Sequence, residues 1–103
     1  MDQGIVLSII KSFRNALSTK GINIGRIILF GSHADKTAND DSDIDLVVIS
    51  ESFKDMDYWQ RIDVLSDAIS DVFQPIEAIG MTQEEFDNCA YMAADYAKSG
   101  VVV

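Results

Sequence analysis

The chain has 103 residues, 48% of them hydrophobic, and a formal net charge of −9 at pH 7. This length indicates a single domain covering residues 1–103, and the apolar content excludes a disordered chain. A charge this negative argues against general nucleic-acid binding, which depends on Lys and Arg facing phosphates. With a single Cys, no signal peptide and no membrane-spanning apolar run, we expect a cytoplasmic protein.

The spacing of apolar residues predicts the element order helix, strand, strand, helix, strand, helix. The predicted elements are a helix over 2–19, strands over 26–30 and 43–50, a helix from about 57 to 73, a strand over 76–79 and a last helix from 82 to 100. Thr82 and Glu85 have the spacing of a capping box at the start of the last helix. This order predicts an α/β (α+β) fold with a small mixed sheet and helices packed on one side.

Chemistry-bearing residues lie where the first strand ends and the second begins. Gly31-Ser32 closes the first strand, and Asp43 and Asp45 open the second. Side chains two residues apart on a strand point the same way, roughly 6–7 Å apart at about 3.3 Å per residue. Two such carboxylates suit Mg²⁺, whereas the Gly-Ser turn offers a close backbone approach, a hydroxyl and an N–H to a phosphate. The arrangement predicts phosphoryl-transfer chemistry.

Residues around this loop resemble a known family. Gly31-Ser32, Ala34 and the run Ser42-Asp43-Ile44-Asp45-Leu46 are similar to the G-S-x-A-R-G…S-D-x-D-L signature of nucleotidyltransferases related to DNA polymerase beta. The chain most resembles the minimal nucleotidyltransferases, small prokaryotic proteins of which many act as antitoxins beside a helical HEPN-domain partner. The resemblance implies the nucleotidyltransferase (polymerase beta-like) fold. Asp35 replaces the Arg of the signature, and Lys36 is the candidate that supplies a cation one position later.

The third predicted strand adds a candidate ligand. Glu77 is the only charge in the apolar run Ile76–Ile79, and an isolated carboxylate there is costly unless it is exposed or bound to a cation. The family places a third metal-binding carboxylate at this point, and the alternative is an exposed edge residue. The resemblance thus implies two Mg²⁺ ions and the following residues: Asp43, Asp45 and Glu77 as catalytic and metal-binding, and Gly31, Ser32, Lys36 and Ser42 as nucleotide-binding. We expect His33 to be a surface loop residue, with a phosphate contact as the alternative.

Three functions remain open at this point. The first is Mg²⁺-dependent transfer of a nucleoside monophosphate, AMP from ATP, to a hydroxyl on a HEPN toxin that the chain would neutralise as an antitoxin. The second is a non-catalytic module that binds and covers such a toxin, which Asp35 in place of Arg favours. The third is transfer to a small-molecule hydroxyl, such as that of an aminoglycoside.

Apolar residues near the end of the chain predict a protein contact. Tyr91, Met92 and Tyr96 exceed what one face of a short helix can bury, and the tail 101–103 is Val-Val-Val. Exposed apolar surface of this kind commonly marks an interface. We expect a stable complex with a helical toxin-like partner or a second copy of the chain. The alternative is that the tail adds an edge strand to the chain's own sheet.

Overall fold

A computed structural model describes residues 3–35 and 43–103 of the chain. The helices of this part are α1 (Gln3–Thr19), α2 (Ser32–Asp35), α3 (Tyr58–Val72), α4 (Gln83–Asp87) and α5 (Met92–Ala97), with a 3-10 helix over Glu51–Asp55. The strands are β1 (Arg26–Phe30), β2 (Ile44–Ile49), β3 (Ile76–Met81) and β4 (Val101–Val102). No helix in these residues is long and apolar enough to cross a membrane.

The described strands form one mixed sheet in the order β3-β2-β1-β4. β1 pairs antiparallel with β2 and with β4, whereas β2 and β3 are parallel and are connected through α3. A parallel pair needs a crossover of this length, which the helix supplies. The small mixed sheet and the α/β class predicted from the element order are therefore confirmed.

Alternate residues of the strands enter two separate cores, so helices cover both sides of the sheet and the prediction of helices on one side is wrong. On one side, Ile27, Leu46 and Val48 pack with the buried faces of the long helices α1 and α3, as predicted. On the other side, Val47 and Ile49 pack with residues of the short helices α4 and α5. Because side chains alternate along a strand, Asp45 shares the second side with Val47. The candidate site therefore lies on the α5 side of the sheet.

The last predicted helix is divided into two. Thr82 caps α4 and forms the predicted capping box with Glu85. The helix α4 ends at Asp87 with Asn88 as its C-cap, because Cys89 adopts a left-handed backbone conformation with φ 49°, which cannot continue a right-handed helix. The chain is extended at Tyr91 before α5 starts. Two short helices that were not predicted, the one-turn α2 and the 3-10 helix, lie between the predicted elements.

The C-terminal tail lies in the chain's own sheet. Val102 and Val101 pair with Ile28 and Leu29 of β1, and the Val103 N–H donates to the carbonyl of Ile27 at 2.9 Å. The interpretation of the tail as a partner contact is therefore wrong, and the alternative of an added edge strand is correct. Without β4, the outer edge of β1 would leave backbone N–H and C=O groups unpaired, and pairing with β4 gives them partners. The side chains of the two strand residues remain about half exposed.

Arg61 ties α3 to the segments before and after it. The side chain is buried, and its guanidinium donates to the carbonyl of Phe53 at 2.7 Å and forms an ion pair with Glu85 at 2.8 Å. Burial opposes ionisation of Glu85, but hydrogen bonds from Thr82 and the charge of Arg61 outweigh it and lower the pKa of that carboxyl. The pair fixes α4 against α3.

Candidate active site

Asp45 and Glu77 are brought together by the parallel pairing of β2 with β3. They are direct Cα partners in the register of the two strands, so their side chains point to the same side of the sheet. On its other flank, Asp45 is the partner of Phe30, the last residue of β1. Two carboxylates from residues far apart in the sequence thus meet on one surface of the sheet.

The electrostatics of Asp45 reflect this neighbour. Partial burial, a hydrogen bond shared with Glu77 and the negative charges of Glu77 and Asp43 raise the pKa of Asp45 from 3.8 to about 6. The positive potential of His33 acts in the opposite direction. Like charges in contact disfavour ionisation, so without a bound cation Asp45 keeps its proton to a higher pH than an ordinary aspartate.

Asp43 lies just outside β2 and is exposed. It is near enough to contribute to the shift of Asp45. Across residues 3–35 and 43–103, however, no three His, Cys, Asp or Glu side chains are close enough together to hold a metal ion. Asp45 and Glu77 have the oxygen donors that Mg²⁺ takes, and a cation between them would relieve their repulsion. The pair fits a divalent cation, and a role for Asp43 as a further ligand stays a prediction.

Gly31 connects β1 to α2 with a left-handed backbone conformation, φ +74°. A Cβ added at this position would collide with Oδ2 of Asp45. Both facts exclude other L-residues without rearrangement. Ser32 follows as the first residue of α2. The predicted Gly-Ser turn therefore lies directly against the carboxylate of Asp45.

Of the further predicted residues near this turn, the structure describes some and not others. His33 is 4% exposed, so the expectation of a surface residue was wrong; the one-turn helix α2 turns it inward. Lys36 and Ser42 lie outside the described residues, and their nucleotide-binding roles stay predictions. The same is true of the effect of Asp35, which is the last residue of α2.

Two cavities flank the site and share a wall. The first, which we call the cradle cavity, has about 290 Å³ and is lined by Phe30, Gly31, Ala34, Tyr96, Ser99 and Gly100. The second, the carboxylate cavity, has about 580 Å³ and holds Asp45 and Glu77 among the apolar residues Phe30, Ile69, Ala78, Ile79, Met92, Ala93 and Tyr96. Phe30 and Tyr96 belong to both. Aromatic residues near the chain's end were predicted to contact a partner, and only the fold shows that Tyr96 borders the site.

A carboxylate pair beside a glycine turn on a mixed α/β sheet is the arrangement that the sequence resemblance implies for a nucleotidyltransferase. The chain belongs to the nucleotidyltransferase domain family, whose sequence profile matches residues 10–91. A comparison with curated proteins found no match.

Solved structures resemble the chain at low sequence identity. A candidate nucleotidyltransferase from Sulfolobus solfataricus superposes with a TM-score of 0.74 at 23% identity, covering 97% of this chain and 80% of the other. A toxin–antitoxin structure with AMP-PNP superposes with a TM-score of 0.50 at 23% identity, covering 66% of this chain and 54% of the other. At such identity these similarities establish the fold, and the first confirms the nucleotidyltransferase fold predicted from the sequence.

Proposed function

We propose that the chain transfers a nucleoside monophosphate, AMP from ATP, to an acceptor hydroxyl in a reaction that depends on Mg²⁺. The observation that carries this proposal is the pairing of Asp45 with Glu77 directly beside Gly31. Family membership supports the reaction class. The chemistry that bound Mg²⁺ supplies is charge neutralisation on the triphosphate and activation of the attacking oxygen.

The chain's own residues have separate roles in this proposal. Asp45 and Glu77 would hold the cation, with Asp43 as a further ligand. Gly31 and Ser32 would approach the outer phosphates, helped by Lys36 and Ser42. The contribution of the protein is positioning and charge placement, because the transferred phosphorus needs no covalent intermediate on the enzyme.

We further propose that the acceptor belongs to a partner of the HEPN toxin type and that the chain acts as its antitoxin. The toxin–antitoxin structure among the similar structures supports a toxin–antitoxin role, whereas the HEPN type rests on the resemblance of the loop residues to the family. The surface beside the carboxylate cavity, where Met92 is 74% and Tyr96 58% exposed, also supports a partner. Exposed apolar side chains at the mouth of a cavity are typical of protein contacts.

Co-expression with a helical protein encoded beside the chain tests both parts. The partner should co-purify, and its intact mass should be larger by one or more nucleoside monophosphates. An Asp45→Asn variant should still co-purify with an unmodified partner. Absence of a complex would refute the partner assignment.

A non-catalytic binding module is the second candidate, because Asp35 puts a negative charge where the family signature has Arg. In that case the partner would co-purify without any mass increase from the wild-type chain. An Asp35→Arg variant distinguishes weak nucleotidyl transfer from a complete loss of it. The rate of transfer should rise in this variant if only the missing Arg limits the reaction, and should stay at zero if the chain is a binding module.

A further inference from the structure

Tyr96 is set apart from the other tyrosines of the chain by its place in the site. The sequence contains three tyrosines, Tyr58, Tyr91 and Tyr96. Tyr96 alone among them lines the carboxylate cavity, and it also lines the cradle cavity. Among the described residues that line the carboxylate cavity, it is the only one with a hydroxyl group.

The other two tyrosines have structural partners elsewhere. The Tyr91 hydroxyl lies 3.5 Å from Oε2 of Glu85, to which it donates. Tyr58 packs edge-on against Trp59 with ring centroids 5.2 Å apart. The Tyr96 side chain has neither kind of contact with the described residues, and 58% of the residue is exposed. Its ring therefore borders both cavities with much of its surface open to solvent.

The position of Tyr96 between the cavities matters for in-line transfer. The outer phosphates of a nucleotide would lie beside Gly31 in the cradle cavity, and the reacting phosphate beside Asp45 and Glu77. An attacking oxygen must approach the reacting phosphorus from the side opposite the leaving pyrophosphate, so the Tyr96 hydroxyl would have to act from the carboxylate cavity and not from the cradle cavity. Tyr96 belongs to the walls of both cavities and needs no partner molecule to reach this region.

We propose that Tyr96 is a site of self-modification, at which the chain attaches a nucleoside monophosphate to its own phenolic oxygen. The inference rests on the proposed function. A bond forms between the Tyr96 oxygen and the α-phosphorus of a nucleoside triphosphate. The bond from the α-phosphorus to the oxygen bridging it to the β-phosphate breaks, pyrophosphate leaves, and the phenolic proton passes to water. The product carries one nucleotide at the mouth of the carboxylate cavity, which limits the reaction to one event per chain.

Intact-mass measurement of the purified chain tests this proposal. The chain is incubated with Mg²⁺ and with ATP, GTP, CTP and UTP in turn, and pyrophosphate release is recorded in parallel. At least one nucleotide should add a single nucleoside monophosphate to the chain, and peptide mapping should place it on Tyr96. Tyr96→Phe, which keeps the ring, should remove the adduct. Tyr91→Phe is the matched control and should retain it.

The outcomes separate this inference from the proposed function. An adduct that maps to another residue, or that persists in Tyr96→Phe, overturns the inference. Metal-dependent pyrophosphate release with no adduct on the wild-type chain also overturns it and leaves the proposed function standing. Absence of both adduct and pyrophosphate release, with and without the partner, refutes the two together.

Discussion

Asp45 and Glu77 lie side by side across the parallel strands β2 and β3, and Asp45 is held at a raised pKa of about 6 by partial burial and by Glu77. Neither strand alone would bring the two carboxyl groups together. The register places a carboxyl from each on the same side of the sheet, next to the turn at Gly31. The folded chain therefore retains a proton that the unfolded chain would release, and this has a measurable consequence.

The contribution of Asp45 to the stability of the metal-free chain should fall as the pH rises from 3.8 to about 6, the ordinary and folded pKa values of this residue. In this window folded Asp45 binds more protons than unfolded Asp45, so its part of the free energy of unfolding decreases with increasing pH. Melting temperatures measured in EDTA for wild type and Asp45→Asn should diverge, with the variant gaining relative to wild type. Parallel curves would show that Asp45 titrates normally.

Replacement of Gly31 by Ala should destabilise the chain more than the same change at Gly21. Both glycines have positive φ, +74° and +88°, but a Cβ at Gly21 meets nothing within 4 Å, whereas one at Gly31 collides with Asp45. The left-handed backbone alone costs about 1–2 kcal/mol, which both variants share. The additional loss in Gly31→Ala, read from urea unfolding, measures the contact with Asp45. Equal losses would mean that the turn tolerates a side chain.

The sequence predicted the element order, the mixed sheet and the strand positions of Asp45 and Glu77, because strand periodicity and turn residues are local signals. Asp43 was predicted to open the second strand and lies just outside β2. It did not predict the burial of His33 or the division of the last helix. His33 is buried by a single helical turn, and the division depends on a left-handed Cys89, a conformation that local propensity disfavours. Tyr96 was recognised as exposed apolar surface, but its position beside the carboxylates depends on α5 packing over β1 and β2.

Removal of residues 101–103 should lower the stability of the chain. β4 pairs with β1, and Val103 adds a hydrogen bond to Ile27 at 2.9 Å. At about 1 kcal/mol for each backbone hydrogen bond, the loss should be about 1–3 kcal/mol. Val102→Thr, which keeps a β-branched residue in the exposed strand, is the control and should unfold near the wild-type midpoint. A deletion variant with unchanged stability would show that β4 contributes no energy.

Replacement of Arg61 by Met should destabilise the chain by about 3 kcal/mol, at the low end for breaking a buried ion pair because Glu85 keeps 26% of its side chain exposed. The variant also removes the guanidinium that donates to the carbonyl of Phe53, which then keeps only the N–H of Met56 at 3.1 Å. The matched change Lys20→Met breaks the pair with Asp71, whose side chain is 57% exposed, and should have little effect. Urea unfolding of the two variants compares them directly. Equal losses of stability in the two variants would mean that the Arg61 ion pair stabilises the chain no more than an exposed pair does.

The central claim is that a cation held at Asp45 binds a nucleoside triphosphate, and the nucleotide-induced shift of the melting temperature tests it most directly. Mg²⁺ with ATP should raise the melting temperature of wild type by mass action. Neither ATP with EDTA nor Mg²⁺ alone should give the full shift. The double variant Asp43→Asn, Asp45→Asn should lose it while remaining folded. A control with the same charge change at the exposed residues Asp55 and Asp63 should keep it. A full shift in the Asp43, Asp45 double variant would place the nucleotide elsewhere and contradict the account.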